Sequence, residues 1–186
     1  FFGDKHWQDP IKWNVAAERD GVRRKVFCAS MADICEDRRD LDIWRSKLKD
    51  LIALTPYLDW LLLTKRPENF LPFFGRAFFL SYPNAWPGTT TENQEQADKR
   101  IQELLKVPGL KWLSVEPMLE AVDLWSARYV LPGGGLGSAF SWGAGVRWVI
   151  YGGESDQPGF PARECDLEWI RAGLAECRAA GIAPFV

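Results

Sequence analysis

The sequence predicts an α/β fold in which parallel strands alternate with covering helices. Two observations carry this. Short, almost continuously apolar runs, the form of strands buried on both faces, alternate with longer stretches of helical period. The residues directly after several of those runs are polar, as in "WLLLTKRPENF", where Trp60 to Leu63 lead into Thr64, Lys65 and Arg66 before Pro67 forbids further strand.

The elements follow in order. "KVFCASM", Lys25 to Met31, reads as a strand, and the next segment sets Leu41, Trp44, Leu48, Leu51 and Ile52 on one helical face, stopped by Pro56. "WLLLTKR" is the second strand. The aromatic stretch from Phe70 to Tyr82 contains proline and glycine and reads as loop with one helical turn. "NAWPGTT", Asn84 to Thr90, is a third strand weakened by Pro87, and a helix from about Glu92 points Ala97, Ile101, Leu104 and Leu105 inward until Pro108 and Gly109. "KWLSVEP" and "RWVIYGGES" are two further strands around a Gly-rich insertion at about 126–145. Asp166 caps a last helix presenting Leu167, Ile170, Leu174 and Cys177, Gly181 ends it, and "APFV" is a sixth strand. Residues 1–24 read as an irregular N-terminal segment and 25–186 as one α/β domain. Six strands suit a barrel or an open doubly wound sheet, and periodicity does not separate them.

Composition narrows the function classes. With 186 residues and 47% hydrophobic content the chain can bury a core of its own. Net charge −2 and a pI near 5.6 do not indicate nucleic acid as a partner. No apolar run reaches a membrane span and no signal peptide is evident, which reads as a cytoplasmic protein. Cys28, Cys35, Cys165 and Cys177 lack CxxC spacing and read as buried free thiols rather than a zinc site. His6 is the sole histidine, so a histidine triad or multi-histidine metal site is excluded. The chain opens on Phe1-Phe2 and stops in an apolar run, as a fragment of a longer protein would.

Ligands in such folds bind at the carboxyl ends of strands. The residues there are Ser30 and Asp33; Thr64, Lys65 and Arg66; Thr90, Glu92 and Asn93; Ser114 and Glu116; and Gly152, Gly153, Glu154 and Ser155. Each alone is explained by capping and turn preferences. Their recurrence at five successive ends points to one polar mouth that takes a small-molecule ligand. Lys65 and Arg66 would meet a carboxylate or phosphate there, or pair with Glu92 or Glu116. The Gly-Gly pair permits close backbone approach but matches neither GxGxxG nor a Walker loop.

In order along the chain, "VFCASMADIC", "LLLTKRPENF", "TTTENQEQADKRI", "WLSVEPMLEAVDL" and "WVIYGGES" followed by "PAREC" resemble a phage and prophage family of uncharacterised radical-SAM-like proteins. The resemblance runs from Val26 to Val186. It implies an incomplete (β/α) barrel of radical-SAM/TIM type that binds S-adenosylmethionine beside a [4Fe-4S] cluster, whose cysteines come from a segment upstream of the first strand and not from this chain. Carried over residue by residue, it picks out Met31 and Pro117 and, as cofactor-binding, Ser30, Asp33, Thr64, Lys65, Arg66, Glu92, Asn93, Glu116, Gly152, Gly153, Glu154, Ser155 and Arg163. Ala32, in place of a second small polar residue, and "TTTEN", in place of a more hydrophobic strand, depart from the family pattern. Two other readings stand beside the radical enzyme: a cluster-free barrel holding a nucleotide or other anionic ligand, and a structural phage component.

Overall fold

A computed structural model describes residues 4–28, 32–125, 128–130, 136–138 and 145–186. Six strands form one sheet: β1 (Arg24–Cys28), β2 (Leu58–Thr64), β3 (Ala85–Thr90), β4 (Lys111–Val115), β7 (Val146–Tyr151) and β8 (Ala183–Phe185). Between β4 and β7 the expected insertion contributes β5 (Arg128–Val130) and β6 (Leu136–Ser138), which pair antiparallel. The rest of that insertion lies outside the described residues.

Strand order in the main sheet follows chain order, β1-β2-β3-β4-β7-β8, and every pairing is parallel. That order decides between the two architectures left open by periodicity. A doubly wound sheet reverses its strand order at a switch point, whereas this sheet winds one way and curls into a half-barrel.

The register explains the two faces. Val26, Trp60 and Ala85 stand in line, as do Leu113 and Val149, and all belong to the main core beneath the helices. On alternate positions, Leu61, Trp112 and Ile150 form a second cluster with Leu63, Trp86 and Trp148 on the inner face. Trp112 is fully buried because position 88 is glycine: a Cβ there would lie 2.3 Å from its indole nitrogen. That indole donates to the Trp86 carbonyl at 3.1 Å.

The helices are α1 (Asp4–Trp7), α2 (Asp9–Asp20), α3 (Asp42–Leu54), α4 (Phe70–Phe74), α5 (Arg76–Ser81), α6 (Gln94–Leu105) and α7 (Leu167–Ala180). α3 buries Leu48, Leu51 and Ile52, and α6 buries Ala97, Ile101 and Leu104. Each such aliphatic side chain contributes about 1.5–3 kcal/mol on burial. Asn93 caps α6 by accepting from the Gln96 amide at 2.9 Å, and Asp166 caps α7 by accepting from that of Glu168 at 2.8 Å. Leu167, expected on the inner face of α7, is exposed instead, one residue after its cap.

Two local expectations differ from what the fold contains. Residues 1–24, read as irregular, hold a twelve-residue helix that starts on Asp9-Pro10 and ends in left-handed Gly21. Its Asn14 side chain accepts from the Tyr57 amide, docking it beside β2. The aromatic stretch at 70–82 is two short helices broken at Gly75 (φ +83°), because Phe70, Phe74, Phe78 and Phe79 pack on one another edge to face or tilted. As expected of Pro87, β3 is weakened on one side: Pro87 pairs with Leu62 of β2, but the β3–β4 ladder begins only at Gly88.

Lys111, at the amino end of β4, is 4% exposed and donates to the Gly109 carbonyl at 2.9 Å. No ion pair reaches it among the described residues. Burial, with Arg147 nearby, pushes its ammonium down to about 8. Between that value and the ordinary lysine range the unfolded chain binds more protons, so stability rises with pH through this window. Lys111→Met should therefore stabilise the protein at pH 7 by roughly 1–3 kcal/mol and flatten the rise between pH 8 and 10, read by urea melts. Equal pH slopes in both proteins would show that Lys111 is not the group responsible.

Candidate functional site

Because the strands are parallel, their carboxyl ends share one edge, which carries most of the residues singled out by sequence. The tip of β2 is organised by Asp33, from the segment after β1. Its Oδ1 accepts from the Cys35 amide at 2.9 Å and the Thr64 hydroxyl at 2.7 Å, and its Oδ2 accepts from the Lys65 amide at 3.2 Å and Arg66 Nη1 at 2.8 Å. The Thr64 oxygen in turn accepts from the Arg66 amide at 2.8 Å. Asp33, Thr64 and Arg66 thus satisfy one another and hold the turn that points Lys65 outward.

Glu92, just after β3, sits between two cations. Arg100 Nη1, on α6, donates to Glu92 Oε2 at 2.6 Å and to the Thr90 carbonyl at 2.9 Å. Lys65 Nζ lies 3.6 Å from the other oxygen and is 58% exposed, against 13% for the Arg100 side chain. Burial alone would raise the Glu92 carboxyl. The bond from its own amide, Arg100 and Lys65 outweigh that and hold it below its ordinary value. Asn93, the next residue, is occupied as the cap of α6.

Glu116 follows β4 directly. Its Oε2 accepts from the Ser114 hydroxyl at 3.2 Å, and among the described residues it makes no ion pair. Its Oε1 rests on the backbone of Gly152, where an added Cβ would come within 2.4 Å. The first glycine of "YGGES" therefore makes room for a carboxylate of this chain. The second, Gly153, lets the backbone pass Cys165, whose Cβ would be 3.2 Å from a Cβ at that position.

Glu154 and Arg163 bracket the segment after β7. Arg163 donates to both Glu154 oxygens, Nε at 2.8 Å and Nη2 at 2.7 Å, and its amide adds a third bond at 3.1 Å. The Arg163 side-chain bond, then its amide, holds the Glu154 carboxyl down to about 2. Glu154 is thus committed to closing its own loop. Ser155 is exposed. Ser30 and Met31 lie outside the described residues.

Taken together, the mouth contains three matched pairs: Asp33 with Arg66, Glu92 with Arg100, and Glu154 with Arg163. Counted one to one among the described residues, these pairs leave over Lys65, whose ion pair with Glu92 is the longer and more exposed one, and Glu116, which makes none. They belong to β2 and β4, which flank β3, so at about 4.8 Å per strand their backbones are rooted about 10 Å apart.

The cysteines do not suit a cluster. Cys35 and Cys177 are buried, burial drives the Cys35 thiol upward, and burial pushes that of Cys28 up to about 12. No group of three or more metal-binding side chains occurs among the described residues. Among those residues, too, no helix is long and apolar enough to cross a membrane.

Residues 2–186 match the family described as protein of unknown function DUF5131. The chain belongs to this family. No curated protein and no solved structure matches it. In this DUF5131 chain, Arg100 is the mouth residue that sequence reading missed. The available signal was its spacing: it lies three residues after Ala97 and beside Ile101, so a charge stands on the inward stripe of α6.

The two kinds of cation differ in consequence. Removing the Asp33 charge leaves Arg66 and the Thr64 tip unsatisfied, so Asp33→Ala should cost about 2–4 kcal/mol in urea melts. Lys65→Met should cost under about 1 kcal/mol, because its contact is long and exposed. A Lys65 variant as unstable as the Asp33 variant would mean that Lys65 is structural.

Proposed function

We propose that the carboxyl-end mouth binds a small zwitterionic ligand, its ammonium on Glu116 and its carboxylate on Lys65. The observation that carries this reading is the charge pattern: among the described residues three close ion pairs leave Lys65 with only its long contact to Glu92 and Glu116 with no ion pair, two strands apart. Lys65 and Glu116 follow strands separated by one other, with backbones about 10 Å apart, which puts both side chains within reach of one small ligand. A purely anionic ligand fits less well, since it would place negative charge beside Glu116.

S-adenosylmethionine is the ligand that the resemblance to radical-SAM-like proteins suggests, and its methionine end has the required charges. Two features fit it: the uncommitted Glu116 carboxylate, and the glycine cradle at Gly152 that leaves this carboxylate in place. Bound, it would supply a sulfonium-activated carbon. Glu116 would orient the amino group, Lys65 the carboxylate, and Asp33 would hold the β2 tip that carries Lys65. The iron-sulfur cluster of the same resemblance has no fitting ligands among the described residues, so no radical step is assigned to this chain.

Calorimetry with S-adenosylmethionine tests the reading. Glu116→Gln and Lys65→Met should each weaken binding about tenfold or more, as expected for loss of one charge-assisted bond, with urea midpoints near that of the unaltered protein. Binding that neither substitution affects would place the ligand elsewhere, and no binding at all would reject this ligand.

A further inference from the structure

Among the described residues, Glu92 is the only carboxylate of the mouth approached by two cations from different elements. Arg100 comes from α6, is nearly buried, and ties the carboxylate to the last carbonyl of β3 through a single guanidinium nitrogen. Lys65 comes from the tip of β2, stays exposed, and stands a full ångström farther away. A carboxylate has one negative charge to share. Whichever cation holds it more closely leaves the other with its charge unspent.

Arginine suits the inner position chemically. Its guanidinium cannot be deprotonated in a protein, so burial does not cost it its charge, and its planar donors reach a carbonyl and a carboxylate together. A lysine there would be a point charge prone to neutralisation when desolvated. The neighbouring charges on this side, Asp33 and Arg66, are matched to each other and do not compete for Glu92.

We infer that Arg100 is a positioning residue for the anion end of the mouth: by occupying Glu92 it keeps Lys65 in a long, exposed contact from which its ammonium can take the carboxylate of a ligand. This rests on the proposed role of Lys65, but the arrangement of the three side chains is testable without any ligand. Without Arg100, Glu92 closes on Lys65 and the two neutralise each other. Without both Arg100 and Glu92, Lys65 is free again.

The test is the rate at which the Lys65 amine is acylated by dilute acetic anhydride at pH 8, read by mass spectrometry of the digested protein with exposed Lys12 as internal reference. In Arg100→Met, capture by Glu92 should withhold the Lys65 amine from the reagent and slow its acylation about threefold or more. Adding Glu92→Gln to that variant should restore the rate to within about twofold of the starting protein, a rescue that general damage to the fold would not give. On the native background Glu92→Gln should change the rate less than about twofold, which decides the matter even if Arg100→Met does not fold. An unchanged rate in Arg100→Met, no rescue in the double variant, or a large rise in Glu92→Gln alone would each overturn the role given to Arg100. Failure of S-adenosylmethionine to bind the unaltered protein would instead reject the proposed ligand and leave these rates as they are.

Discussion

The in-order parallel register of β2, β3 and β4 is the constraint on which the mouth depends. It brings Thr64, Thr90 and Val115 to one edge, so the residues that follow them stand side by side despite separations of about 25 positions in sequence. The apolar strands are buried on both faces, between helices and the inner tryptophan cluster, which leaves their tips little freedom. A rigid edge of this kind can hold charges apart as well as together.

That rigidity gives meaning to which charges are paired. Arg66 folds back onto Asp33, Arg100 reaches in from α6, and Arg163 closes a loop on Glu154. Each pair has a local structural role: shaping a turn, anchoring a helix to a strand end, or bracing a loop. Lys65 and Glu116 have none of comparable strength, and on the proposed reading their opposite signs suit a ligand that carries both charges. A site intended for a polyanion would gather its cations, whereas here they are distributed among carboxylates.

Much of this was legible in the sequence, and the reasons for the rest are physical. Continuous apolar runs identified β2 and β4, and capping chemistry identified Asn93 and Asp166, because these signals are local. The half-barrel was not separable from an open sheet, since strand order is a property of pairings between distant segments. The helix at Asp9–Asp20 was missed because its apolar stripe is weak, although Pro10 and Gly21 mark its ends. The strand-end residues were correctly gathered to one edge, but sequence could not tell matched charges from unmatched ones. Glu154 and Glu116 look alike as residues after an apolar run, and only the position of Arg163 separates them.

The most direct test of the charge arrangement is a crystal structure of the protein soaked with S-adenosylmethionine. The expected result is an amino group hydrogen-bonded to Glu116 and a carboxylate on Lys65, with the Asp33–Arg66, Glu92–Arg100 and Glu154–Arg163 pairs intact. A ligand bound at the mouth with its carboxylate on Arg66 or Arg163 and those pairs broken, or one seated away from the strand ends, would contradict it.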